Sequence, residues 1–298
     1  MIVIEGCRVE TQSNNELFKS MGTEAGTEAW NEMWKLPPAT LRKIAADMWQ
    51  SKKVREAVDK DIDGVKTRFF EKLYPDFLVI HIHGGAFFMG SHDGQDGYLK
   101  EISDQNNCNV ISIEYPLAPE NPYPAGLDVC ERVIQHILDN ATKFGSNRVV
   151  LIGESAGANF VASILLRLRK KNLHKRIESV VLYYGFFDLT PNTRTSSDSY
   201  IFSWERRTQS IEYYLQGRPA QYADISPRFG DLSGLPRALF LVGTKDILLD
   251  DSLFMHSKWE DSKIVVAPGA DHAFNLFPGE CTRKTNEIRN DFLKGLEV

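Results

Sequence analysis

Apolar positions recur at helical spacing between about Asn15 and Lys53, with Trp30, Met33 and Trp34 in one segment and Leu41, Ile44, Met48 and Trp49 in the next. Pro37-Pro38 separates the two and predicts a pair of short helices. From about Val54 the period changes. Val65, Thr67 and Phe69 alternate with Lys66 and Arg68, and a continuous apolar run over 77–82 then ends at His83-Gly84-Gly85. Runs rich in branched residues follow at 110–113, 149–152, 180–184, 238–242 and 264–267, the character of buried parallel strands. Helix-length stretches at 125–144, 156–171, 250–260 and about 282–296 lie between or after them. Strand and helix alternate, which predicts a doubly wound α/β sheet with helices on both faces.

One interval breaks the rhythm. Between Tyr184 and Arg237 the chain passes through Thr190-Pro191, a helical stretch near 204–215 and a turn-rich passage to Pro236. We read about 188–235 as an insertion over the C-terminal edge of the sheet, where open α/β folds bind ligands. Residues 1–53 then form an N-terminal helical lid segment, and residues 54–298 the α/β unit that carries the insertion.

Composition narrows the function classes. With 298 residues, 42% of them hydrophobic and 25% charged, the chain can bury one substantial core. Lys plus Arg total 35 against 40 Asp plus Glu, a formal net charge of −5 without a basic block, which argues against nucleic acid as a partner. Nowhere do 18 apolar residues run together, so no membrane span is expected. The apolar opening from Met1 to Ile4 stops at Glu5 and has no basic flank, so the expectation is a cytoplasmic protein without a signal peptide. Cys7, Cys108, Cys130 and Cys281 are scattered, with no spacing suited to a metal, and predict reduced, unreactive thiols. The sequence sets no oligomeric state; a homodimer is among those open to it.

The candidate chemistry begins at Gly153-Glu154-Ser155-Ala156-Gly157, a G-x-S-x-G pattern placed between a predicted buried strand and a predicted helix. A sharp turn there would hold Ser155 in a strained backbone conformation and expose its hydroxyl as a nucleophile. His83-Gly84-Gly85-Ala86 directly follows a strand and can offer backbone N–H groups to a carbonyl oxygen that becomes negative during acyl transfer. Gly84 and Gly85 are the expected donors, joined by Ala156 N–H, with Ala86 an alternative to Gly84. His83 is expected to shape the loop, and His81 to be a core residue.

Chain order helps to choose the base, because behind such a nucleophile turn the acid and then the histidine follow. Only His174, His256 and His272 come after Ser155. His174 lies in a basic run at a helix end and His256 inside a predicted helix, whereas His272 occupies the loop after the last strand. Asp246 ends the strand at 238–242, leaving room for one crossover unit before His272. Its carboxylate would fix the imidazole tautomer and stabilise the imidazolium. Asp250 and Asp251 compete for that role but read as caps of the following helix, and Asp271 is expected to point elsewhere.

These residues resemble the hormone-sensitive-lipase-like branch of the α/β hydrolases, over most of the chain after about Val54. Besides the two glycine motifs, Glu114-Tyr115-Pro116-Leu117-Ala118-Pro119-Glu120 and Pro122-Tyr123-Pro124-Ala125 are similar to the family's Y-R-L-A-P-E…P-F-P-A stretch. The resemblance implies an α/β-hydrolase fold with an eight-stranded, mostly parallel twisted sheet, a helical lid, and hydrolysis of short acyl esters without a cofactor. Ala86 replaces a glycine of the family's loop, Pro116 an arginine, Glu154 the commoner aspartate, and Ala158 another glycine. Ala86, Phe87, Phe88 and Phe186 are expected to line the substrate pocket and favour acetyl to butyryl chains, with core packing the alternative for Phe87 and Phe88. The rival readings are a hydrolase of lactones, amides or carbamates, and a non-catalytic small-molecule receptor of the same fold.

Overall fold

The computed structural model describes residues 1–4, 24–49, 54–191 and 199–298. The ends of the expected lid helices beyond these bounds, together with Cys7 and the side chains of Met48 and Trp49, lie outside the described residues.

Among the described residues nine strands form one sheet in the order β1-β9-β8-β7-β6-β4-β5-β3-β2. They are β1 (Ile2–Val3), β2 (Ala57–Ile62), β3 (Val65–Phe70), β4 (Leu78–Ile82), β5 (Asn109–Ile113), β6 (Val149–Glu154), β7 (Ile177–Tyr183), β8 (Arg237–Gly243) and β9 (Ser262–Ala267). β3 runs antiparallel to both of its neighbours, and all other pairs are parallel. The expected count of eight is therefore corrected by one. Ile2 and Val3 pair in parallel with Val265 and Val266 at the sheet edge. Two residues are too few to give an alternating pattern, so this strand is invisible to periodicity.

β4, β5 and β6 are buried at every position, which is why their sequences are mostly apolar and do not alternate. Eight α-helices accompany the sheet among the described residues: α1 (Glu24–Trp34), α2 (Pro38–Trp49), α3 (Asp96–Asn106), α4 (Ala125–Asp139), α5 (Ala156–Arg169), α6 (Trp204–Leu215), α7 (Leu249–Lys258) and α8 (Glu280–Leu293). Strand order reverses around β4, whose neighbours β5 and β6 lead away in opposite directions. Such a switch point opens a crevice at the carboxyl ends of the strands. No helix among the described residues is long and apolar enough to cross a membrane.

Trp30 and Trp34 of α1 and Leu41 and Ala45 of α2 are buried in the same hydrophobic cluster as the sheet. The N-terminal helices also meet the segment between β7 and β8, which is the expected insertion. Trp30 Nε1–H donates to the carbonyl of Ile201 at 3.0 Å, Gln209 of α6 donates to the carbonyl of Trp34 at 3.2 Å, and Arg206 donates to Asn31. Cys108 and Cys130 are free and buried, whereas Cys281 is disulfide-bonded, so the expectation of four reduced thiols fails at Cys281. Scattered spacing rules out a local metal motif but says nothing about which distant thiols meet.

Candidate active site

β6 runs straight into α5 through a single residue, Ser155, at φ 54° and ψ −115°. A left-handed φ at a serine is uncommon and needs support from its surroundings. Ser155 N–H donates to the carbonyl of Tyr183 at 2.9 Å, and its own carbonyl accepts Asn159 N–H at 3.1 Å. The turn is also crowded. A Cβ on Gly157 would lie 2.0 Å from the carbonyl oxygen of Ile82, so only glycine lets α5 approach β4 this closely. Ser155 is 5% exposed.

His272 Nε2 lies 3.0 Å from Ser155 Oγ, and His272 Nδ1 lies 2.7 Å from Asp246 Oδ2. Three residues from three loops at one sheet edge thus form a continuous hydrogen-bonded chain, all of them buried. Asp246 Oδ1 accepts Leu248 N–H at 2.9 Å, which fixes the carboxylate plane. The imidazole is held between two aromatic rings: Phe202 stacks on it at 4.9 Å, and Tyr184 lies 4.6 Å away.

The competing carboxylates have other work. Asp271 accepts the Ser199 hydroxyl at 2.5 Å, Tyr200 N–H at 2.7 Å and His272 N–H at 2.6 Å, so it joins the histidine loop to the insertion. Burial, reinforced by Asp246, raises its carboxyl above the usual range. Asp251 lies in the first turn of α7, and the expectation of a cap is corrected: it accepts Phe187 N–H at 3.0 Å and Asp188 N–H at 2.9 Å. Burial, with Asp188 nearby, pushes its carboxyl up to about 7.

The loop after β4 passes beside the Ser155 turn. A Cβ on Gly84 would lie 2.9 Å from the carbonyl of Glu154 and 3.5 Å from Ser155 Cβ. Among the described residues no acceptor engages the amides of Gly84 or Gly85, and Ala156, as the first residue of α5, has no partner inside the helix. His83 Nδ1–H donates to the carbonyl of Gly84 at 2.8 Å. The ring stacks on Tyr115 at 4.2 Å, and burial pushes its pKa down to about 4, so the imidazole is neutral. Tyr115 O–H donates to the carbonyl of His83 at 2.8 Å, which gives the tyrosine of the second motif a physical role. His81 is a buried core residue, bonded to Glu154 at 2.8 Å and to Ser112 at 2.9 Å.

A cavity of about 810 Å³ opens over Ser155 and His272, walled by Trp30, Trp34, Met89 and Phe202 among others. Of the four expected pocket residues only Ala86 borders it. Phe87, Phe88 and Phe186 are corrected to core residues: Phe87 stacks on Tyr214 at 4.1 Å, Phe88 meets Trp34 edge-on at 5.4 Å, and Phe186 meets Phe202 at 5.7 Å. The reason is backbone direction. For Phe87 and Phe88 it is a left-handed turn, with Ala86 and Phe87 at φ of 54° and 68° and the Gly85 carbonyl accepting Phe88 N–H; Phe186 lies in the segment after β7, where its N–H donates to the Ser155 carbonyl at 3.3 Å and its ring is fully buried. The wall residues Trp30 and Trp34 were visible as an apolar helical face, but nothing in the sequence aimed that face at Ser155.

A family model of the α/β-hydrolase fold matches residues 79–276, and the chain belongs to that family. An esterase of Acinetobacter venetianus is 35% identical over 195 residues, 63% of this chain and 63% of that protein. An arylesterase of Saccharolobus solfataricus is 30% identical over 179 residues, 58% of each. The chain thus matches less than two thirds of these relatives' length. Among solved structures, a hormone-sensitive lipase from a metagenome library has a TM-score of 0.80 at 22% identity, covering 91% of this chain and 97% of that one. A likeness at that identity speaks for the fold.

Proposed function

We propose that this protein is a serine carboxylesterase that cleaves small, short-chain acyl esters through an acyl-enzyme. The observation that carries the reading is the bridging imidazole, with Ser155 Oγ at 3.0 Å on one nitrogen and Asp246 at 2.7 Å on the other. In the proposed cycle Ser155 Oγ attacks the ester carbonyl while His272 Nε2 takes its proton. Asp246 holds the tautomer and stabilises the imidazolium. The amides of Gly84, Gly85 and Ala156 receive the developing oxyanion, each donor contributing about 10²–10³ in rate. His272 then protonates the departing alkoxide, and water repeats the sequence to release the acid.

The intact chain of three groups disfavours the receptor reading, since a protein that only binds has no need of a base aligned on a hydroxyl. The names of the esterase relatives favour esters over lactones, amides or carbamates. For chain length the support is narrower than expected, because Ala86 is the one predicted pocket residue that borders the cavity. The cytoplasmic setting expected from the sequence and the homodimer that it leaves open enter none of this chemistry.

The test is turnover of p-nitrophenyl esters from acetate to dodecanoate by wild type and Ser155→Ala, with fluorophosphonate labelling of both. The expected result is a maximum at butyrate or shorter, with turnover and labelling lost in the variant while it still folds. Equal labelling of the variant rejects Ser155, and a maximum at octanoate or longer rejects the short-chain part.

A further inference from the structure

We propose that Arg42, on α2, is a positioning residue for the loop that receives the oxyanion, so that the N-terminal helices act on the chemical step as well as on substrate entry. The inference rests on the serine-hydrolase reading above. Arg42 reaches two loops at once. Its Nε–H donates to the carbonyl of Phe88 at 2.6 Å, and one terminal nitrogen donates to the carbonyl of Ala118 and, at 2.5 Å, to the Glu120 carboxylate. The two carbonyls belong to loops that are themselves joined, because Ala118 N–H donates to the carbonyl of Phe87 at 3.1 Å. Guanidinium, Phe87-Phe88 and Ala118 close a ring of hydrogen bonds. Phe88 N–H in turn donates to the carbonyl of Gly85 at 3.0 Å, one peptide away from the proposed oxyanion donors.

That loop needs an outside hold. Ala86 and Phe87 both adopt left-handed φ, which costs a residue with a Cβ about 1–2 kcal/mol and persists only where the surroundings over-determine it. Part of the hold is internal, from the Gly85 carbonyl, and part comes from Tyr115 beneath the loop. Arg42 supplies the part from above. Its ion pair with Glu120, whose side chain is 53% exposed, adds little by itself. The two carbonyl contacts carry the effect, and they suit the planar fork of arginine, which a lysine ammonium cannot reproduce. Oxyanion donors act only when they are fixed before the reaction, so loosening the loop should weaken transition-state binding and leave ground-state binding largely alone.

The experiment uses the full chain. Absence of Ser155-dependent fluorophosphonate labelling in wild type overturns the parent reading; the remaining outcomes bear on Arg42 alone. With p-nitrophenyl butyrate, Arg42→Met should lower kcat about tenfold while KM moves less than about threefold, the signature of an interaction made in the transition state. Affinity for a trifluoromethyl ketone, whose adduct carries the oxyanion, should fall by the same factor as kcat/KM, and millimolar methylguanidinium should restore part of both. If Arg42→Met does not fold, Arg42→Lys serves, keeping the charge but reaching one carbonyl, with kcat lowered about threefold. An unchanged kcat in a folded variant, or a rise in KM alone, overturns the proposal and leaves Arg42 as part of the cavity wall.

Discussion

The turn between β6 and α5 and the loop after β4 face the same hydroxyl, yet they are held in different ways. The first is held by regular structure: β6 ends, Ser155 takes a left-handed φ, α5 begins, and the neighbouring strands close around the turn, with the Tyr183 carbonyl accepting Ser155 N–H and the Ile82 carbonyl packed against Gly157. The second is fixed by residues far along the chain. Tyr115 bonds the carbonyl of His83 from below, and Arg42 bonds the carbonyl of Phe88 from above. A serine between a strand and a helix is held by main-chain contacts with regular structure, whereas the amides of an irregular loop must borrow rigidity from side chains of other elements.

The sharpest way to break this contrast is Gly157→Ala. The added methyl would meet two backbone oxygens, of Ile82 at 2.0 Å and of His83 at 2.7 Å, neither of which can step aside cheaply. We expect a loss of about 3 kcal/mol or more in urea unfolding, together with activity. A variant within about 1 kcal/mol of wild type would show that the turn is less tightly packed than described.

A second effect follows from His83, whose native pKa of about 4 lies below its unfolded value of 6.5. Between those values the unfolded chain binds a proton that the native protein refuses, so stability is full above pH 6.5 and is lost as pH falls toward 4. The contribution amounts to about 3 kcal/mol across the window. Melting curves of wild type and His83→Asn from pH 7 to pH 4 should show the shallower decline in the variant; parallel profiles would mean that the loop histidine carries no such linkage.

The smallest expected effect is that of Tyr115→Phe, which removes one hydroxyl and leaves the His83 carbonyl buried without its partner. A loss of about 1–2 kcal/mol is expected. Because the bond supports the loop and not the serine, kcat should drop while the rate of Ser155 labelling by a small uncharged reagent changes less. Equal losses in both would mean that the two regions are coupled more tightly than their hydrogen bonds indicate.

The same contrast explains what could be read from residues alone. Alternating helices and strands, the serine turn, His272 and Asp246 were legible because each depends on a run or motif with a fixed place in chain order. β1 was missed because two residues carry no period. Between pocket and core, Phe87 and Phe88 are undecided by sequence because their ring direction depends on φ at Ala86 and Phe87, and nothing in the side chains announces a left-handed backbone; Phe186 belongs to another loop, and its burial follows from contacts that leave no pattern in the chain. Arg42 belongs to no motif in the sequence. Its partners are main-chain carbonyls at Phe88 and Ala118, and carbonyls leave no trace in composition. Asp251 was misread for the opposite reason: its position at a helix start fits a cap, while its contacts lie with Phe187 and Asp188.

Asp271 sets a design rule for anyone who would rebuild the roof of this site. Its carboxylate serves the backbone of His272 on one side and the Ser199 hydroxyl and Tyr200 amide on the other. A transplanted insertion of different length or sequence must deliver an equivalent hydroxyl and amide to that spot. A graft that does not will strand an acid in a dry place one residue from the base, and the penalty will be felt in catalysis before any new specificity can be measured.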